Sequence, residues 1–381
     1  MRLVFIKYAE FPQKDNEWSF DGISLSQINL LVGKNATGKT RTLTLINSLA
    51  DLITGHIPEI FQSGMYEAAF EHEEKTWKYF LEYDNSQVSK EELCLNDENV
   101  LHRGAGNIGR ILAADIDDKP AKIKFQADAR KVAILTKRDA LQHSFLEPLH
   151  EWASSVRHFK FGGDMGGLAI AVKGVQIELN DRDTSQLIPI MNKALQKYKE
   201  EFKKSVITDM ESLGYKLDDL EIRRPANAII RGLIPGDLVG ISAKETGLRS
   251  ATDQMTMSQG MFRALSLLIQ TTYYALEKKG GCIIIDDIGE GLDYERSCLL
   301  IDLLRKKALT SSMQLIMSTN NRFIMNKVPL EEWCVLHRSG NKVRGWNYAN
   351  ARDAFERFKI TGLNNFDLLA TDYVQKVKGD G

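Results

Sequence analysis

One octet near the amino terminus constrains this chain more than any other stretch. Gly33-Lys34-Asn35-Ala36-Thr37-Gly38-Lys39-Thr40 fits the pattern G-x-x-x-x-G-K-[ST], the P-loop. The pattern needs a strand before it and a helix after it, and both are legible. Ile28-Asn29-Leu30-Leu31-Val32 is a short apolar strand, and beyond Thr40 the positions Leu45, Leu49, Leu52 and Ile53 share one helical face until Gly55 stops it. In this arrangement the glycines let backbone N–H groups turn inward around phosphate, and the start of the helix near Gly38 adds its positive end. Lys39 reaches the β and γ oxygens, and the Thr40 hydroxyl coordinates magnesium. Lys34, Asn35, Ala36, Thr37 and the following Arg41 complete the expected nucleotide-contacting run, against the plainer reading of an ordinary glycine turn.

A second carboxylate is needed to hold the metal, at the end of a buried strand. Cys282-Ile283-Ile284-Ile285-Asp286-Asp287 supplies it. Asp286 is placed to accept magnesium through water, and Asp287 to orient or deprotonate the attacking water. Taken alone, the segment also reads as an apolar strand ending in a solvated acidic turn.

The length of 381 residues allows two or three domains or one large lobed one. Lys plus Arg number 50 and Asp plus Glu 51, so no global positive field advertises nucleic acid. The sequence holds no apolar run of about 18 residues, and Met1 to Ile6 is too short and too soon charged for a signal peptide. A cytoplasmic protein without membrane association is expected. Cys94, Cys282, Cys298 and Cys334 are widely spaced and form no CxxC, which disfavours a disulfide framework and a zinc site. The seven histidines are scattered, and no acidic two-metal constellation stands outside the phosphate site.

Leu3 to Tyr8 reads as a strand. Between Ile57 and Lys137, runs such as Trp77 to Tyr83, Ile108 to Ala113 and Val132 to Leu135 alternate with Asp, Asn and Gly, predicting antiparallel strands in a β-rich flap. Phe145, Leu149, Trp152 and Val156 mark a helix, and Gly162, Gly163, Gly166 and Gly167 a boundary. Met191, Leu195, Tyr198, Phe202 and Val206 form an apolar stripe within Leu187 to Leu213, with lysines and glutamates on the other faces. Pro225 and Pro235 bracket a short segment after it. Trp152, Trp333 and Trp346 sit in apolar or hairpin patterns and read as packing residues. The expected division is a lobe with P-loop and flap over 1–161, a helical insertion and linker over 162–235, and a second lobe over 236–381.

Two further pieces carry a resemblance. Met257-Ser258-Gln259-Gly260 opens a helix with Phe262, Leu265, Leu268, Ile269 and Leu276 on its apolar face, upstream of the acidic strand, and looks like the LSxG signature of ABC-type ATPases. Ile288-Gly289-Glu290-Gly291-Leu292-Asp293 resembles the D-loop region. The motif order spans nearly the whole chain and resembles the SMC-like and RecF-like branch. Gly33-Lys34-Asn35, Glu91-Glu92-Leu93 and Gln314 to Asn320 make it more similar to compact prokaryotic ATPases of the OLD and abortive-infection type. The resemblance implies an α/β ABC-type ATPase head with a mixed P-loop sheet, an antiparallel β flap and a small helical insertion near 185–222.

It also implies ATP and magnesium as cofactors, and a head-to-tail homodimer or higher homo-oligomer in which Ser258 and Gly260 of one subunit bind the γ-phosphate held by the other's P-loop. Asp293 then lies at the dimer interface. The family's catalytic glutamate falls on Asp287, one methylene shorter, and its switch histidine on Asn320, which hydrogen-bonds phosphate but shuttles no proton. Catalysis is thus assigned to Lys39, Asp287 and Asn320, and the metal to Thr40 and Asp286. Gln126 and Gln142 are the candidates for the Q-loop glutamine. The implied function is an ATP-gated switch controlling a partner effector, a nuclease or toxin, in phage defence. A RecF-like repair ATPase that binds DNA itself and a non-hydrolysing nucleotide-binding scaffold are the alternatives, with a transporter's nucleotide-binding subunit further behind.

Overall fold

The computed structural model describes residues 1–113, 121–163, 165, 171–172, 179–180, 182–225, 238–278 and 280–379. Gly166, Gly167 and Pro235, used above as punctuation, lie outside them. Strands β1 (Arg2–Glu10) and β2 (Trp18–Ser24) precede β3 (Ile28–Val32), which runs into helix α1 (Lys39–Thr54). The flap follows as β4 (Ser63–His72), β5 (Lys75–Asp84), β6 (Gln87–Leu95), β7 (Glu98–Arg103), β8 (Ile108–Ala113) and β9 (Ala121–Gln126). Its hairpins turn on the residue pairs Glu73-Glu74, Asn85-Ser86 and Asn96-Asp97, every one at positive φ, the turn geometry whose twist matches that of the flanking strands. Next come α2 (Ala133–Thr136), α3 (Glu147–Ser155) and β10 (Arg157–Lys160).

The middle of the chain holds β11 (Ala171–Val172), α4 (Leu187–Ser212), β12 (Leu217–Arg223), β13 (Leu238–Glu245) and β14 (Thr252–Asp253). The remainder alternates: α5 (Gln259–Leu276), β15 (Gly281–Asp286), α6 (Tyr294–Leu309), β16 (Met313–Ser318), α7 (Arg322–Lys327), β17 (Trp333–Ser339) and β18 (Lys342–Trp346), then α8 (Tyr348–Ile360), α9 (Asn365–Ala370) and α10 (Tyr373–Lys378).

A 14-stranded sheet runs in the order β10-β15-β16-β3-β17-β18-β2-β1-β4-β5-β6-β7-β8-β9, and β11, β13, β12 and β14 make a small second sheet. From β10 to β17 every pairing is parallel, and from β2 outward through the flap every pairing is antiparallel. A parallel sheet buried on both faces needs apolar residues at every position, which accounts for the uninterrupted apolar run of β15. Its Ile283 and Ile285 join one core, with α4, α5 and α6; Cys282 and Ile284 join the other, with α1 and α3. Among the described residues no helix is long and apolar enough to cross a membrane.

One local expectation needs correction. Val132 to Leu135, read above as a strand, includes the start of helix α2, because the buried Glu91 carboxylate accepts the N–H groups of Ala133 and Ile134 at 2.6 and 3.0 Å and fixes a helix start there. Helix α4, which carries the apolar stripe, is interrupted at Lys199 (φ 48°, ψ −122°); along it Met191, Phe202, Val206 and Met210 are fully buried and Leu195 and Tyr198 only partly so. Trp152, Trp333 and Trp346 are all buried, with the Trp333 indole donating to the Val328 carbonyl.

Candidate functional site

The carboxyl ends of β10, β15, β16 and β3 lie along one edge of the parallel sheet, the place where open α/β sheets bind ligands. At the end of β3 the chain enters the P-loop. A Cβ on Gly33 would lie 2.6 Å from Thr37 Oγ1 and 2.8 Å from the Leu336 carbonyl oxygen, so no side chain fits there. Ala36 (φ 63°) and Gly38 (φ 101°) adopt left-handed backbone, and Thr37 Oγ1 closes the turn by donating to the Lys34 carbonyl at 2.9 Å. Lys39 is buried, its ammonium donating to the carbonyls of Gly33 at 2.8 Å and Lys34 at 3.4 Å. Burial lowers its pKa, and the charges of Asp287 and Asp286 oppose that shift.

Helix α1 starts here with no side-chain cap and no acidic residue in its first turn, whereas Ser258, Asp293, Asn321 and Asn347 cap α5, α6, α7 and α8. Its first N–H groups are left for an anion. Thr40 is exposed at that turn. The bent loop, the inward lysine and the uncapped helix together suit a magnesium-bound triphosphate, and Thr40 and Asp286 are the residues fit to hold the metal.

Asp286 is buried at the end of β15 and accepts a hydrogen bond from Ser318 Oγ at the end of β16. The same Ser318 oxygen accepts the Asp287 N–H at 2.9 Å. Asp287 sits at φ 54°, a left-handed conformation that Asp and Asn tolerate better than most residues. Its carboxylate accepts from Asn320 Nδ2 at 3.2 Å. Burial raises its pKa, the neighbouring Asp286 charge adds to the rise, and Lys39 opposes both. Lys39, the Asp286-Asp287 pair and Asn320, distant from one another in sequence, therefore meet in one polar cluster. Ser318 was missed by the sequence reading, although it closes the strand that Asn320 follows. Arg338, which donates to the Ala36 carbonyl at 3.3 Å, left no sequence signal.

Other expected residues are placed differently. Lys34 pairs with Asp372 at 2.6 Å, and Arg41 pairs with Glu10 while stacking over the Trp18 ring at 3.8 Å, so both cations are held by this chain's own groups. Ser258 caps α5 by accepting the Met261 N–H at 3.3 Å. Gly260 faces the 288–293 turn so closely that a Cβ would lie 2.4 Å from the Gly291 carbonyl oxygen, and Arg263 Nη1 donates to the Glu290 carbonyl at 3.0 Å. The Asp293 carboxylate caps α6 and pairs with Arg296. Among the described residues no hydrogen bond joins Ser258 or Gly260 to the P-loop of the same chain.

The Q-loop candidates do not reach the cluster. Gln126 ends β9, the outermost flap strand, and the backbone N–H of Gln142 is tied to Asp139 in an exposed turn before α3. The segment that does reach it is Phe161-Gly162-Gly163 after β10. Phe161 and Gly162 both donate N–H bonds to the Asp286 carbonyl, at 3.0 and 3.4 Å, and a Cβ on Gly162 would lie 2.9 Å from Asp287 Cβ.

No family model and no curated protein matches the chain. Solved structures do. An SmcHead bound to the C-winged helix domain of ScpA aligns over 91% of this chain and 97% of its own, with 13% identity and a TM-score of 0.55. An Smc head domain with an extended coiled coil, bound to the C-terminal domain of ScpA and derived from Pyrococcus furiosus, aligns over 94% and 99%, with 12% identity and a TM-score of 0.52. At these identities the likeness is one of fold. The chain has the mixed α/β architecture of SMC-type ATPase heads.

Proposed function

We propose that the chain is a magnesium-dependent ATPase that closes into a dimer around ATP and thereby switches a partner protein. The convergence of Lys39, Asp286, Asp287 and Asn320 at the carboxyl edge of one parallel sheet carries this reading. Lys39 and the uncapped amides of α1 would bind the β- and γ-phosphates. Magnesium, when bound, supplies charge neutralisation across those phosphates. Ser318 orients Asp286 by donating to it, and at the same time fixes the backbone of Asp287. Asp287, with its raised pKa and its hydrogen bond from Asn320, is the base that aligns water.

Ser258 and the start of α5, with no bond to their own P-loop, suit the γ-phosphate of a second copy, for which the head-to-tail dimer provides the geometry. The effector, taken to be a nuclease or toxin, and the setting in phage defence come from the resemblance to OLD-type and abortive-infection ATPases. That the structurally similar Smc heads are bound to a ScpA domain supports a protein partner for this chain.

The test is the mass in solution with magnesium alone, ATP or ADP, together with phosphate release. Wild type dimerises with ATP and Ser258→Arg does not; Lys39→Ala loses turnover by roughly a hundredfold or more. Undiminished hydrolysis in Lys39→Ala overturns the phosphate site. An ATP-driven dimer that releases no phosphate leaves a non-hydrolysing scaffold.

A further inference from the structure

We infer that Lys160 is a second cation of the phosphate site, binding the terminal phosphate from the β10 side. The inference rests on the nucleotide-site reading above. In the parallel ladder Lys160 stands opposite Asp286, so their Cα atoms are neighbours about 4.8 Å apart. Alternation fixes which way each points. Phe159 and Phe161 are fully buried in the core that also takes Ile283 and Ile285, which leaves Lys160 on the other face, the one shared by Asp286 and Ser318.

Just beyond Lys160 the wall is lined by two glycines, with Glu290 Cγ 3.5 Å from where a Gly162 Cβ would stand. Gly162 packs against Asp287 with no room for a Cβ, and Gly163 folds back over Lys160, so that a Cβ placed on Gly163 would lie 3.6 Å from the Lys160 Cβ. Among the described residues of β10 and the turn after it, Lys160 therefore presents the long cationic side chain beside the two aspartates, with the Glu290 acid adding to their negative charge.

Charge balance asks for such a group. Lys39 already faces Asp286 and Asp287, and a magnesium–triphosphate brings further net negative charge. Lys34 and Arg41 are engaged by Asp372 and Glu10, and Arg338 by the Ala36 carbonyl. Lys160 is exposed and, among the described residues, its side chain makes no hydrogen bond or ion pair. An ammonium on the β10 side would touch the γ-phosphate and not the β-phosphate side held by α1, so it discriminates triphosphate from diphosphate.

The experiment is isothermal titration of the full-length protein, in magnesium, with ADP and with the non-hydrolysable β,γ-imido analogue of ATP. Lys160→Ala is expected to weaken the triphosphate analogue about tenfold and leave ADP about unchanged, with Lys160→Arg restoring most of the loss. Equal loss for both nucleotides, or no loss for either, overturns the inference and returns Lys160 to a solvated strand end. Lys39→Ala is titrated in parallel. If it binds as wild type does, or wild type binds neither nucleotide, the phosphate-site reading itself fails and Lys160 falls with it. If Lys39→Ala alone loses binding, that reading stands and Lys160 is refuted by itself.

Discussion

Asp287 shows how much of a site can hang on one backbone angle. Its φ of 54° is tolerated by aspartate and asparagine and disfavoured for glutamate, and Gly162 closes on its Cβ. Judged by side-chain length alone, Asp287→Glu should raise turnover. With this backbone the expected outcome is a rate no higher than wild type in a phosphate-release assay, and a severalfold rise would show that reach is limiting after all. Asp287→Asn keeps the backbone and removes the base, so turnover should fall roughly a hundredfold while the ATP-driven dimer persists. The sign of the pH dependence follows from the raised pKa. Asp287 takes up its proton above the 3.8 of an ordinary aspartate, so as pH falls activity is lost at a higher pH than such a group would give, and Asp287→Asn should abolish that limb. The residues that meet in this polar cluster could be picked out of the sequence because the motifs that contain them pair fixed residue types with fixed spacing. Ser318 and Gly162 could not, since a serine or glycine at a strand end has no meaning until its neighbour across the sheet is known.

Among the elements, the junction between α5 and the 288–293 turn is the tightest to test. Gly260→Ala would place a methyl 2.4 Å from a backbone oxygen, which cannot be relieved by rotating a side chain. Destabilisation of about 1–3 kcal/mol is expected, read as a lowered thermal midpoint. An unchanged midpoint would mean that the turn yields. Strand β15 was readable because burial on both faces requires an unbroken apolar run. Strand β10 was not. Its Arg157-His158-Phe159-Lys160 carries charge in a sheet position because Arg157 stacks over Tyr274 at 3.4 Å and Lys160 ends at the open edge, both facts of tertiary packing. The break at Lys199 escaped for the opposite reason, because the apolar stripe continues through it.

For the whole molecule the decisive fact is interleaving. Strand β3 lies between β16 and β17, and β18 pairs with β2, so early and late segments of the chain share one sheet. A fragment of residues 1–161 would expose both edges of β3 and the apolar face of β10. It is expected to show no cooperative thermal transition, by circular dichroism, until mixed with the remainder, and a sharp transition in the fragment alone would contradict this architecture. Linear order in the sequence could not reveal which distant strands pair, and the flap's hairpins, being local, were the easier part.

The same interleaving sets the timing of birth. On a ribosome making about 5–20 residues per second, β3 emerges early and waits roughly 15–60 s for the two strands that flank it. Until β17 is out, the Leu336 carbonyl that packs against Gly33 is missing from the loop. The loop's packing is thus completed late: the residues of α1 are made first, and the backbone that closes on Gly33 arrives only with β17.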